Sequence, residues 1–192
     1  MLYLSPDQPT DPIERPYPIQ RVPATGSLAA AITSKQPFGC FTHFWGGRTI
    51  PCTAEACDAC KAAAPSRWHC YMTAYSHPNQ LHFLLELTAA AAEKIYQFTR
   101  EHGTCRGCHF KANRQPQTPN GRIYLQTQML DMDKYRLPEE PDLKLILSRL
   151  WNIPLDEIEI KQPAEPIGAI AFATLNRGNH DLTQQKTNES RQ

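Results

Sequence analysis

Apolar and polar residues alternate in short runs along the middle of the chain, and most runs have the length of a strand. CFTHFWGG (40–47) and RWHCYMTAYS (67–76) read as two strands. HPNQ (77–80) supplies a turn, and LHFLLELT (81–88) folds back to complete a hairpin. The period then changes. In TAAAAEKIYQFTREHG (88–103), Ala91, Ile95 and Phe98 share one helical face, Thr88 suits the N-cap and Gly103 suits the residue after the helix. GCHFKANR (107–114) predicts a fourth strand, and the polar QPQTPNG leads into RIYLQTQML (122–130), a fifth. There Ile123, Leu125, Thr127 and Met129 alternate with Arg122, Tyr124, Gln126 and Gln128, the period of a half-buried strand.

Three strands, a helix and two strands is the element order of an OB-fold. The predicted class is mainly β with α: a five-stranded β-barrel over 28–135, its helix between the third and fourth strands. EEPDLKLILSRLWNI (139–153) carries Leu143, Ile146, Leu147 and Leu150 on one side, which predicts a short C-terminal helix within an extension at 136–155. Six of the 17 prolines fall in the first 23 residues, so 1–27 reads as an extended arm. Residues 156–192 end in the polar NRGNHDLTQQKTNESRQ and read as a largely disordered tail.

Net charge is +1, but it is unevenly placed. Residues 35–130 hold ten Lys/Arg against five Asp/Glu, so the predicted barrel is basic and its flanks acidic, a distribution suited to an anionic partner. No run of 18 or more apolar residues predicts a membrane span. MLYLSPDQPTDPIERP lacks a basic segment followed by an apolar one, which predicts no secretory signal and a cytoplasmic address.

In a reducing compartment, seven clustered cysteines suggest metal ligation rather than disulfides. Cys52, Cys57 and Cys60 form a C-x4-C-x2-C group in a loop, and His43 stands nine residues before it at the end of the first strand. Together they supply the four ligands of a closed tetrahedral zinc site in the loop between strands one and two. A competing assignment joins Cys57 and Cys60 to a second C-x-x-C, Cys105 and Cys108, as a four-cysteine ribbon. Neither pair has the strand–helix setting of a redox motif, and the deaminase signature lacks its glutamate. Four ligands leave no open position for water, so the ion is expected to be structural and the chain no enzyme. Cys40 and Cys70 read as small buried hydrophobes.

Binding to single strands combines stacking side chains with a cationic groove. Candidates are Trp45 and Arg48 beside the zinc loop and Arg67, Trp68 and Tyr71 on strand two. Lys111 and Arg114 on strand four, with Arg122 and Tyr124 on strand five, complete the set. Trp68 fits a core position as well as a platform, whereas Tyr71 and Tyr124 fall on faces expected to be exposed.

His43, Cys52, Cys57 and Cys60, placed within this strand–helix order, make the chain resemble a zinc-containing OB-fold single-stranded DNA-binding protein of the phage and mobile-element type. The resemblance implies sequence-tolerant binding of single-stranded nucleic acid, DNA rather than RNA, and partners in replication, recombination or transposition. The acidic C-terminal tail of such proteins is missing, and 138–165 is the nearest acidic stretch. The alternative expectation is a zinc-stabilised protein–protein adaptor of a nucleic-acid-processing complex, with no direct contact to nucleic acid.

Overall fold

One long strand, Ser66–Ser76, organises the sheet because it pairs with three others. The computed structural model describes residues 17–116 and 121–159; the start of the arm and nearly all of the tail lie outside the described residues. In chain order the strands are β1 (Ile19–Gln20), β2 (Ser27–Ile32), β3 (Phe38–Trp45), β4 (Arg48–Pro51), β5 (Ser66–Ser76), β6 (Leu81–Thr88), β7 (Cys108–Arg114) and β8 (Ile123–Met129). The α-helices are α1 (Asp58–Lys61), α2 (Ala89–His102) and α3 (Leu143–Trp151), with single 3-10 turns at Ala54–Ala56 and Leu155–Glu157.

The sheet runs β1-β6-β5-β2-β7-β8, with β3 and β4 branching from β5. It is an open sheet of eight strands, not the closed barrel of five expected from the sequence. Part of the reason lies at its edge. Among the described residues no ladder joins β6 to β8, and β1 occupies the outer edge of β6 instead, through Ile19↔Leu84 and Gln20↔Leu85.

The expected first strand, 40–47, is β3, and β2 is a strand the sequence reading did not include. β3 pairs with the first half of β5 (Phe38↔Tyr71 to His43↔Ser66) and β2 with its end (Ala31↔Tyr75, Ile32↔Ala74). At the break, the buried hydroxyls of Thr33 and Ser34 each lie 2.8 Å from that of Thr73, and the Thr33 N–H reaches Thr73 O at 2.9 Å. Polar side chains thus satisfy one another where the ladder lapses.

The two faces of the sheet bury different partners. On one, Ile32, Cys70, Met72, Phe83, Leu85 and Phe110 pack with Ala92, Ile95 and Phe98 of α2. Helix α2 follows Thr88 directly and stops at Gly103, whose φ of 73° lets its N–H close on Thr99 O at 2.8 Å. Thr88 holds the N-cap position, although its side chain makes no capping bond. On the other face, Tyr71 and Leu84 lie under Leu143, Ile146, Leu147 and Trp151 of α3. Asp142 caps that helix by accepting from Leu145 N–H at 3.0 Å, and Asn152 ends it in the left-handed region. The amphipathic stretch of the sequence is therefore a lid glued to the sheet, with Trp151 edge-on to Tyr71 at 5.4 Å.

Candidate functional site

The β3–β4 hairpin turns on Gly46-Gly47, both at positive φ (57° and 80°), as a two-residue connection between twisted strands requires. Its register puts Trp45 opposite Arg48 and His43 opposite Ile50. The chain then leaves β4, makes the 3-10 turn and enters α1, with Cys57 as the helix N-cap and Cys60 inside the helix. The Cys52 N–H donates to Phe41 O at 2.8 Å, which continues the β3–β4 ladder by one residue and holds Cys52 beside His43.

These local choices bring four ligand atoms together. The ring nitrogens or thiol sulfurs of His43, Cys52, Cys57 and Cys60 lie within 4.8 Å of one another. Cys60 Sγ is 3.3 Å from His43 Nε2 and 3.5 Å from Cys52 Sγ. Zn–S bonds of about 2.3 Å at tetrahedral angles require ligand–ligand edges of about 3.7 Å, so the group needs little adjustment to close on an ion. His43 Nδ1 lies 3.1 Å from Ala64 O, and donation of Nδ1–H to that carbonyl leaves the Nε2 lone pair facing the sulfurs. A ligand set without an outer partner for its imidazole would be far less convincing. This group can hold a metal ion.

Two of the three thiols, Cys52 and Cys57, are biased toward the thiolate form that ligates an ion. Cys57 is held down to about 6, chiefly by the backbone N–H of Cys60, with further N–H groups at Thr53 and Ala59 opposing the effect of burial. Cys52 is lowered first by its hydrogen bond with His43, which is raised in turn by the same contact. Cys60 is pushed up to about 11, first because its thiol is hydrogen-bonded to Cys52, then by burial and by Cys57, with repulsion from the neighbouring thiolates adding to the effect. An ion relieves that repulsion.

The second C-x-x-C does not join this cluster. Cys105 and Cys108 are fully buried with Cys70 in the core against α2, and Cys105 Sγ–H donates to Ser34 O at 3.1 Å. Burial raises both thiols, Cys108 to about 12. The group around His43 contains neither of them. Cys70 is buried as expected, and Cys40 is half-buried against the α3 cluster.

The expected nucleic-acid residues separate into groups. Trp45 is 41% exposed and Arg48 stands beside it across the hairpin. Lys111 on β7 and Arg122 and Tyr124 next to or on β8 are exposed, with the Arg122 guanidinium 5.8 Å from the Tyr124 ring centre. Arg67 is exposed at the start of β5. Trp68 is half-buried against the core; its ring lies over Gly39, where a Cβ would come within 1.8 Å of it. Arg114 is tied to backbone, donating to Val22 O and Gly121 O at 3.0 and 3.1 Å.

Tyr71 corrects the sequence reading. It was expected on an exposed face, yet it is 1% exposed beneath α3, its hydroxyl donating to Glu86 at 3.3 Å. Glu86 also pairs with Arg21, Nη2 to Oε2 at 3.0 Å. The face of the second and third OB-type strands, β5 and β6, is therefore covered by a helix where the expectation had it open.

Two residues missed from the sequence are more exposed than any aromatic that was named on the hairpin. Phe41 is 55% and Phe44 72% exposed. The period of CFTHFWGG held the clue: Phe41, His43 and Trp45 share one face of β3, so two exposed aromatics flank the histidine ligand. No family model, curated protein or solved structure matches this chain. Among the described residues no helix is long and apolar enough to cross a membrane.

Proposed function

We propose that the chain is a non-enzymatic, sequence-tolerant single-stranded nucleic-acid-binding protein whose contact surface is the β3–β4 hairpin, braced by a structural zinc ion. The observation that carries this reading is the row Phe41–His43–Trp45. Two exposed rings stand on the same strand face as a metal ligand, with Arg48 across from Trp45. Phe41 is held by the β3–β5 ladder, but Phe44 and Trp45 lie beyond its last pair, His43↔Ser66, where large apolar side chains on a two-stranded hairpin are weakly held unless something fixes them. A four-coordinate ion would fix them, presenting pre-ordered π-faces for bases and a cation for phosphate.

Zinc fits best because three thiolates and one imidazole at tetrahedral spacing are its preferred structural ligands. The ion would supply rigidity alone, since its four positions are filled by protein. The neighbour order β6-β5-β2-β7-β8 supports an OB-like ancestry for the sheet, and Lys111, Arg122 and Tyr124 offer a further cationic and aromatic surface on β7–β8. DNA over RNA, and a setting in replication, recombination or transposition, follow from the resemblance, and the cytoplasmic address from the make-up of the first 16 residues.

The test is a fluorescence titration of the metal-loaded protein with oligo-dT and oligo-rU at two salt concentrations. Quenching that weakens steeply with salt is expected. Trp45→Ala should weaken binding by about 5- to 160-fold, the loss of about 1–3 kcal/mol of base stacking. Absence of binding at low salt removes the proposal. The adaptor reading would then take its place, favoured by Phe44, which is exposed on the opposite face of the hairpin from Trp45.

A further inference from the structure

The end of the β3–β4 hairpin runs on past β5. The β3–β5 ladder stops at His43↔Ser66, and among the described residues Phe44 and Trp45 pair only with Thr49 and Arg48. A Cβ built on Gly46 or Gly47 at the turn would meet nothing within 4 Å. This open end is nonetheless anchored from both faces. On one, His43 is buried and belongs to the metal group. On the other, Thr49 Oγ1 accepts from Arg21 Nη2 at 3.1 Å, and that guanidinium is fixed by the buried carboxylate of Glu86.

The register sorts the side chains, because residues opposite one another in an antiparallel pair share a face. Trp45 and Arg48 lie on the face of His43. Phe44 and Thr49 lie on the other, together with Thr42 and its partner Arg67. Each face therefore carries one exposed ring and one exposed arginine: Trp45 with Arg48, and Phe44 with Arg67. No Asp or Glu stands on β3, β4 or β5, so both faces suit an anion. A single strand laid over Trp45 and Arg48 leaves Phe44 and Arg67, on the far side, without a ligand. A β-sheet with side chains on both faces is about 10 Å thick, against about 3.4 Å between stacked bases. The hairpin cannot slip between base pairs, but it fits where two strands have parted.

We infer that the hairpin end binds where a duplex divides into two single strands, one running over Trp45 and Arg48 and the other over Phe44 and Arg67. Each ring stacks on a base of its own strand, and each arginine neutralises a phosphate beside it. The two anchors, the metal group on one face and Arg21 on the other, keep both rings in place as the strands diverge. The inference rests on the nucleic-acid reading of the hairpin and adds its substrate class, a fork rather than a uniform single strand.

Anisotropy titrations of the full metal-loaded chain with three DNAs test it: a fork with two dT arms, the same duplex with blunt ends, and an oligo-dT as long as both arms together. The fork should bind at least about 5-fold more tightly than the oligo-dT, the gain from one further stacked base, and the blunt duplex should bind most weakly. Phe44→Ala should bring the fork down to the affinity of the oligo-dT with metal content unchanged. Phe44→Leu should do the same and Phe44→Tyr should keep the preference, because stacking needs a ring. Should Phe44→Ala lose its metal, Arg67→Gln decides, and it should lower both the fork preference and its salt dependence. A fork bound no more tightly than the oligo-dT overturns the inference and leaves the single-strand reading standing, and so does a preference that survives Phe44→Ala. Absence of binding to all three DNAs removes the single-strand reading, and the inference with it.

Discussion

The chain contains two C-x-x-C pairs with opposite fates. Cys57 and Cys60 begin a four-residue helix on a long excursion that buries few apolar groups, where backbone N–H groups favour the Cys57 thiolate and His43 is within reach. Cys105 and Cys108 sit between α2 and β7 among Phe98, Phe110 and Ala112, where burial keeps both protonated. Spacing is identical and environment is opposite. A thiol becomes a ligand where polar backbone and a histidine converge, and a packing group where apolar side chains enclose it.

The sharpest way to break this contrast is to remove the ion. Chelation should leave residues 46–65 open to rapid amide exchange while β5, β6 and α2 keep their protection, because only the excursion lacks an apolar core. Uniform loss of protection would mean that the ion supports the whole sheet. A smaller effect is expected from Cys108→Ser, which buries a hydroxyl in an apolar setting. It should cost about 1–3 kcal/mol in chemical denaturation with metal content unchanged.

The smallest effect is a pH dependence. His69, His82 and His109 are all lowered, first by burial, so each favours its neutral form in the folded chain. Their contribution to stability is complete above the unfolded value of about 6.5 and is lost as pH falls through it. Melting temperature should therefore decline on acidification below that pH. His82→Phe should flatten the decline, since the buried His82 Nε2 has no hydrogen-bond partner among the described residues. An unaltered slope would mean that His82 is readily hydrated when charged.

Periodicity made α2, β7, β8 and α3 legible because each buries one clear face, whereas β5 and β6, buried on both faces, were legible as apolar and aromatic runs either side of the HPNQ turn. β2 escaped notice because SLAAAI does not alternate; Ala30, Ala31 and Ile32 are buried on both sides of the sheet, so the polar half of the pattern is missing. β1 has two residues and no signal of its own. The four candidate ligands were readable from residue type and spacing, since liganding demands that chemistry. Tyr71 was not, because its burial depends on a helix about seventy residues later in the chain, and no local pattern records which sheet face such a helix will choose. Phe41 and Phe44 were readable but overlooked in a run whose alternation was used only to mark a strand.

Metal analysis of three proteins purified side by side tests the central claim most directly: the wild type, Cys57→Ser and Cys105→Ser. The account predicts one zinc per chain in the wild type and in Cys105→Ser, and loss of zinc in Cys57→Ser with the core sheet still folded. Loss of zinc from both variants, each still folded, would contradict it, because the second C-x-x-C would then belong to the metal site.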